Sequence, residues 1–363
     1  VFTNANPLQG GYRPIYGQPS GGGDPLISAF GNVRMHHVDF STSAEVENSG
    51  GTSDPDFTFG MFLDVNRTVG TDQAPRVYLE DTGFFTSMPR HVNFDTDTDG
   101  SFFRFYDVNS GTASGAGRSR VEIVNFRTAA QPGASVQAGT ESLTRFFRAQ
   151  MTDVIIRDTT DYTWGTGGFT YAVYPQEYLL IAGTLTNLTL DNVKANVTLC
   201  PVWVTGSPTV ERVYLRDCGF YYSAASAAPN MRLPAGTAET HYINSDFLVR
   251  ASGQGFFYAF LDYATCTVWQ GTRFRVTGAV GAHATSFMLT SGNVGNYQIN
   301  SCTFEDDNAA RTGGELFSHA GTALALGHGN FILSAGTSFT NANLPLTPPV
   351  AGPYTTGGLN YLS

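Results

Sequence analysis

The octapeptides VYLEDTGF (Val77–Phe84) and VYLRDCGF (Val213–Phe220) follow one pattern: two apolar residues with one residue between them, a small polar residue, and an aromatic soon after. The pattern recurs as VRMHHVDF from Val33, VEIVNF from Val121, VIIRDTTDY from Val154 and LTLDNVKA from Leu188. Looser copies are YINSDF from Tyr242, CTVWQGTRF from Cys266, YQINSCTF from Tyr297 and FILSAGTSF from Phe331. Their polar positions are His37, Asp81, Asn125, Asp158, Asn192, Asp217, Ser245, Gln270, Ser301 and Ala335, with gaps of 44, 44, 33, 34, 25, 28, 25, 31 and 34 residues. A short phrase alternating with period two is a half-buried strand. Recurrence at such spacings marks stacked units, and the variable lengths between phrases belong to loops.

Stacking places each phrase beside the next as a parallel strand, and parallel crossovers are strongly right-handed. The expected fold is therefore all-β, a right-handed parallel β-helix of about ten coils. Val77 and Leu79, Val121 and Ile123, and Val213 and Leu215 are predicted to point inward as aliphatic ladders. The polar residue that follows falls at a corner, where Asp and Asn tolerate the left-handed conformation and hydrogen-bond nearby backbone. The Phe beyond it starts the next strand inside the core. A second strand is predicted ahead of several phrases: MFLDVN, RFYDVN, LTRFF, EYLLI, YAFLD and SFMLT. Two of these, aligned at Phe62 and Phe105, read as close copies.

Composition agrees with this architecture. Only 14% of the 363 residues are charged, while 41 are Gly and 27 are Phe, which suits stacked rings better than long amphipathic helices. A net charge of −10 argues against a nucleic-acid or anionic-membrane surface. No run of 18 apolar residues exists, so membrane insertion is not expected. The opening VFTNANPLQGGYRP has neither the basic nor the apolar region of a leader. Cys200, Cys218, Cys266 and Cys302 lack metal-site spacing, and Cys218 and Cys302 read as small core residues three coils apart. The boundaries are an N-terminal Gly/Pro-rich arm or cap over 1–32, the solenoid over 33–340 and a similar tail over 341–363.

Three groups carry candidate chemistry. Asp95, Asp97 and Asp99, followed by Gly100, reproduce the opening of a calcium loop, but position 12 counted from Asp95 is Tyr106 where an EF-hand has Glu. Calcium is the one cofactor the sequence suggests, and none is required. The insertion DYTWGTGGFTYAVYPQEY (Asp161–Tyr178) presents rings suited to sugar faces or to a subunit interface, with Tyr162, Trp164 and Tyr174 as the candidate ligand-binding residues. Glu305-Asp306-Asp307 followed by Gly327-His328-Gly329 resembles motifs of the polygalacturonase branch of β-helix glycosidases. That resemblance makes Asp306, Asp307 and His328 the candidate catalytic residues. The branch's preceding Asn-Thr-Asp and its closing basic motif have no counterpart here. His36 and His37 sit within a strand phrase and read as structural. Sequons stand at Asn66, Asn187 and Asn196.

Over Val33 to about Phe339 the repeats resemble the β-helix shafts of bacteriophage tailspikes and related virion proteins, with the pectate-lyase-like enzymes as structural cousins. The resemblance implies a rigid virion structural or adhesion protein, a homo-oligomer with a trimer favoured. It implies attachment to other virion or surface proteins through the terminal arms, and loops presented to host-surface glycans. The expected location is a virion or extracellular surface. An extracellular polysaccharide hydrolase or lyase is the alternative reading, and a non-viral surface adhesin or filament subunit a third.

Overall fold

The computed structural model describes residues 15–17, 32–41, 45–47, 58–65, 76–86, 90–92, 101–107, 118–129, 145–161, 164, 177–197, 200–206, 208–224, 231–234, 237–251, 260–262, 264–277, 288–290, 296–306, 317–319, 331–333, 338–340 and 350–351. These residues are all-β, with no helix among them. The chain divides into two compact units, Val1–Leu185 with Asn192–Thr198, and Thr186–Asp191 with Leu199–Ser363.

In the first unit the phrase strands Asn32–His36, Arg76–Glu80, Arg120–Val124 and Asp153–Thr160 pair in that order, all parallel. Register holds the repeats in line: Val33, Val77, Val121 and Val154 stand opposite one another, as do Met35, Leu79, Ile123 and Ile156. A second parallel sheet contains Ile15–Gly17, Thr58–Val65, Ser101–Asp107, Arg145–Gln150 and Glu177–Ala182. The expected alignment of Phe62 with Phe105 is corrected here. Leu63 pairs with Phe105 and Phe62 with Arg104, because a bulge between Thr58 and Met61 slips the register by one residue.

The second unit repeats the plan. Residues 187–191, Arg212–Arg216, Glu239–Ile243, Cys266–Gln270, Asn296–Asn300 and Phe331–Leu333 form one parallel ladder. Gly219–Ala224, Asp246–Ala251, Arg273–Thr277, Thr303–Asp306 and Ser338–Thr340 form a second. A third joins Phe260–Asp262, Met288–Thr290, Phe317–His319 and Val350–Ala351.

Inward aliphatic residues are buried in both units, among them Val77, Leu79, Val121, Ile123, Val213 and Leu215. Each such side chain contributes roughly 1.5–3 kcal/mol by leaving water. The polar corners adopt the left-handed conformation at His37, Asp81, Asn125, Asp158, Asn192, Asp217, Asn244 and Ser301, with φ between 49° and 57°. Gly271 does the same at φ 59°. Two expected corners are therefore corrected by one residue: Asn244 replaces Ser245, and Gly271 replaces Gln270. The cause lies inside the core. Thr240 and Thr267 occupy inward positions that other phrases fill with aliphatics, and their hydroxyls lie 3.2 Å apart in mutual satisfaction. Val268 faces outward, while Trp269 is fully buried. Polar residues inside and an apolar residue outside displaced the apparent alternation by one place. Ala335 lies outside the described residues. The register pairs Ile299 with Leu333 but Phe304 with Phe339, so this last turn holds one more residue than its neighbour.

Candidate functional site

The corners set the geometry of everything that faces outward, and backbone hydrogen bonding shows how they are held. In the second unit the corner N–H groups of Asp217, Asn244 and Gly271 donate to the next rung, at Ile243, Gln270 and Asn300 carbonyls 2.8–2.9 Å away. Two residues later the direction reverses: the N–H groups of Asp246, Arg273 and Thr303 donate to Cys218, Ser245 and Thr272 carbonyls on the preceding rung. The N–H of the residue between them is left out of this carbonyl pattern and requires another acceptor. A side chain supplies it. Cys218 N donates to Ser245 Oγ at 3.3 Å, and Ser245 N to Thr272 Oγ1 at 3.4 Å. These groups in turn donate to carbonyls, Ser245 Oγ to Ile243 at 3.1 Å and Thr272 Oγ1 to Tyr242 at 2.9 Å. Cys302 continues the column, its thiol 3.4 Å from the Asn300 carbonyl and pushed up to about 11 by burial.

This polar column was not anticipated, although its signal is in the sequence. Six corners are followed directly by Thr, Ser or Cys: Thr82, Thr159, Cys218, Ser245, Thr272 and Cys302, all buried. The expectation that Cys218 and Cys302 are core residues is met, and neither is disulfide-bonded.

On the outward faces, carboxylates pair with cationic side chains one rung away. In the first unit Glu80 lies 3.5 Å from His36, Asp81 3.6 Å from Arg127, Glu122 3.0 Å from Arg157 and Asp153 3.8 Å from Arg118. In the second, Arg216 forks onto Asp191, and Arg212 reaches Glu239 at 3.0 Å. Arg273 reaches Glu305 at 3.3 Å. Arg275 is the most enclosed of these cations. It donates to both Asp246 oxygens and, at 3.1 Å, to the Tyr221 hydroxyl; burial pushes its pKa down, but the bonds and charge of Asp246 together with those of Tyr221 outweigh it and leave the pKa raised. Glu239 also accepts from His241 at 3.1 Å, and the His241 and Arg212 bonds together hold its carboxyl below the usual range. The corners carry a ladder of their own: Asn125 donates to Asp81, and Asn192 to Asp158 at 2.9 Å. Alternating acid and amide avoids stacking like charges directly above one another.

Of the candidate site residues, Trp164 is half-buried, and its N–H closes a turn on the Asp161 carbonyl at 2.9 Å. Asp161 itself is buried and accepts from Thr128 Oγ1 at 3.1 Å. Asp306 ends the strand Thr303–Asp306 in register with Val276. The neighbouring Glu305 is engaged with Arg273. Asp307, His328, Tyr162, Tyr174, Asp95, Asp97 and Asp99 lie outside the described residues. Among the described residues no group of three or more His, Cys, Asp or Glu could hold a metal ion. Asn196 is 1% exposed, so its sequon has no access to a glycosylating enzyme in the folded chain. The chain matches no protein-family model, no curated protein and no solved structure.

Proposed function

We propose that the chain is a right-handed parallel β-helix serving as a structural or adhesion component of a virion or extracellular surface. Its stacked rungs form a stiff platform that carries loops toward glycans or neighbouring proteins, and its Gly/Pro-rich ends hold it to partners and to further copies, a trimer being favoured. The observation that carries this reading is the use made of charge. Eight carboxylates on the described sheets and corners are bound to Arg or His of an adjacent rung. Exposed pairs of this kind contribute only about 0–1 kcal/mol each, but as a series they tie neighbouring rungs together and fix their register. Carboxylates committed to arginine in this way serve a scaffold better than they serve acid–base chemistry, which needs acids with separated pKa values around one bond.

The test is to delete residues 1–32, follow assembly by sedimentation and follow the fold by circular dichroism. Loss of assembly with the strand signal retained is the expected result, and normal assembly by the shortened chain would overturn the role given to the ends. The competing reading, a polysaccharide hydrolase or lyase, predicts depolymerisation that Asp306→Asn or Asp307→Asn abolishes with assembly intact. Release of reducing ends or unsaturated products by the wild type, lost in those variants, would replace the noncatalytic reading.

A further inference from the structure

The second ladder of the second unit ends on Ser338–Thr340, which pairs with Thr303–Asp306 on one side and with no other described strand. Register carries one residue forward from rung to rung: Phe220, Phe247, Phe274 and Phe304 stand opposite one another in turn, and Phe304 stands opposite Phe339. Backbone direction alternates along each strand. Asp246, Arg273 and Thr303 turn their N–H groups toward the preceding rung, so the Phe after each turns its own N–H and C=O toward the next. Phe339 holds that forward-facing place with no described strand beyond it, and an open edge of this kind is a template for another strand.

The sequence contains a second copy of the strand that forms this edge. Phe339–Asn343 reads FTNAN, and so does Phe2–Asn6, which lies outside the described residues. We infer that the Phe2–Asn6 segment of a second copy of this chain adds to the open edge as the next parallel rung, with Phe2 opposite Phe339 and Thr3 opposite Thr340. In that register the Phe339 N–H donates to the Val1 carbonyl, and the Thr3 N–H donates to the Phe339 carbonyl. Strand addition draws its affinity from main-chain bonds and its specificity from the side chains in register. Identical residues on neighbouring rungs stack at about 4.8 Å, and Phe274 on Phe304, with ring centroids 5.3 Å apart, shows the fit one rung earlier. Neither pentapeptide carries a charge, so stacking them superposes no like charges. Within its own chain the segment is tethered through residues 7–14, about 27 Å when fully extended, to Ile15–Gly17 of the first unit, whereas the open edge belongs to the second. A second copy brings the segment without that tether. The contact is heterologous, so it closes into a ring or grows a filament. The inference rests on the proposed role of the ends in holding further copies, and it assigns that role to one pentapeptide and one rung.

Sedimentation of the full chain and binding of a fluorescently labelled peptide of residues 1–8, VFTNANPL, test it. The wild type should exceed the 39.0 kDa monomer mass, and a variant lacking residues 1–6 should sediment as a monomer with unchanged circular dichroism. That variant should bind the peptide saturably, and Phe2→Asp in the peptide should weaken binding at least about tenfold. Charge reads the register. With Thr340→Asp in the variant, a Thr3→Lys peptide should bind more tightly than a Thr3→Asp peptide, and Thr340→Lys should reverse that order. If the Thr340 variants fail to fold, excess unlabelled peptide should still dissociate the wild-type oligomer. Continued association without residues 1–6, a peptide that does not bind, or binding blind to the charge at position 340 would each overturn the inference. So would a monomeric wild type that takes up the peptide only after residues 1–6 are removed, since the segment would then occupy its own chain. Association lost on deleting residues 1–32 but kept on deleting 1–6 would sink this inference and leave the proposed role of the ends standing. Association indifferent to both deletions would sink both.

Discussion

The two units solve the same packing problem with different regularity. In the second, the position three residues past the corner is Phe in successive rungs, Phe220, Phe247, Phe274 and Phe304. The rings stack, with Phe247 and Phe274 at 5.3 Å and 8°, and Phe274 and Phe304 at 5.3 Å and 4°. Tyr242 and Trp269 stack beside them at 5.5 Å and 8°. In the first unit the same position reads Phe40, Phe84, Thr128, Asp161 and Ala195. There Phe126 enters the core directly after its corner, and the rings meet edge to face: Phe84 with Phe126 at 6.3 Å, Phe126 with Phe147 at 4.9 Å, Phe147 with Tyr178 at 5.4 Å. Both geometries are favourable for aromatic rings. The difference teaches that parallel rungs spaced by about 4.8 Å translate sequence identity into stacking. Where the repeat position drifts, the rings meet at an angle instead.

The largest expected effect tests what the two units share. Ile156→Asp in the first and Leu215→Asp in the second would each bury an unpaired charge in an apolar ladder, and both should cost more than about 4 kcal/mol and remove soluble folded protein. Ile155→Asp and Tyr214→Asp, one residue away and outward, should stay within about 1 kcal/mol in urea melts. Outward variants as damaging as inward ones would show the register to be wrong.

A smaller difference separates two glycines. A Cβ on Gly83, where φ is 135°, would meet the Arg127 carbonyl oxygen at 2.1 Å, which is backbone and cannot swing away. Gly271 at φ 59° would meet only the Asn244 side-chain oxygen, at 2.6 Å. Gly83→Ala should lower the urea midpoint clearly more than Gly271→Ala, whose main cost is about 1 kcal/mol for a left-handed alanine. Equal losses would mean that the bridge through Gly83 and Arg127 loosens freely.

The polar column gives a contrast of sign. Thr272 Oγ1 satisfies Ser245 N and reaches a carbonyl, so Thr272→Val should cost about 1–3 kcal/mol. Thr82 is as deeply buried, yet its hydroxyl has no partner among the described residues, and Thr82→Val should be neutral or stabilising. Thermal melts of the two variants decide it, and a destabilising Thr82→Val would place an unseen partner at that oxygen.

The smallest effect depends on pH. Glu239 in the second unit is held below the usual carboxylate range by the His241 and Arg212 bonds. In the first, burial pushes Asp39 upward, but bonds from Ser41 Oγ, Ser41 N and Phe85 N outweigh it and leave the pKa lowered. A lowered folded-state pKa gives stability that is present above the unfolded value and lost as pH falls through the folded one. Urea midpoints should therefore decline from about pH 5 downward, and Glu239→Gln or Asp39→Asn should each flatten that decline slightly. An acid decline unchanged in both variants would assign it to other carboxylates.

Much of this molecule is legible in its residues because a strand alternates with period two and a left-handed corner selects Asp, Asn or Gly. Val77, Leu79, Asp81 and Phe84 announce inward, inward, corner and core from their chemistry alone, and the structure places them so. What tertiary structure alone decided is register where that chemistry is ambiguous. Thr240 and Thr267 are tolerated inside because each hydroxyl finds the other across a rung, a partnership between residues 27 apart that no local pattern reveals. Asn244 and Gly271 became corners for the same reason, and Leu63 rather than Phe62 faces Phe105 because a bulge moved it. Arg275 likewise looks like any surface arginine until folding brings Tyr221, 54 residues earlier, and Asp246 within its reach. Local sequence sets which conformations each residue accepts, whereas a hydrogen bond or an ion pair between rungs depends on loop lengths that only the folded chain adds up.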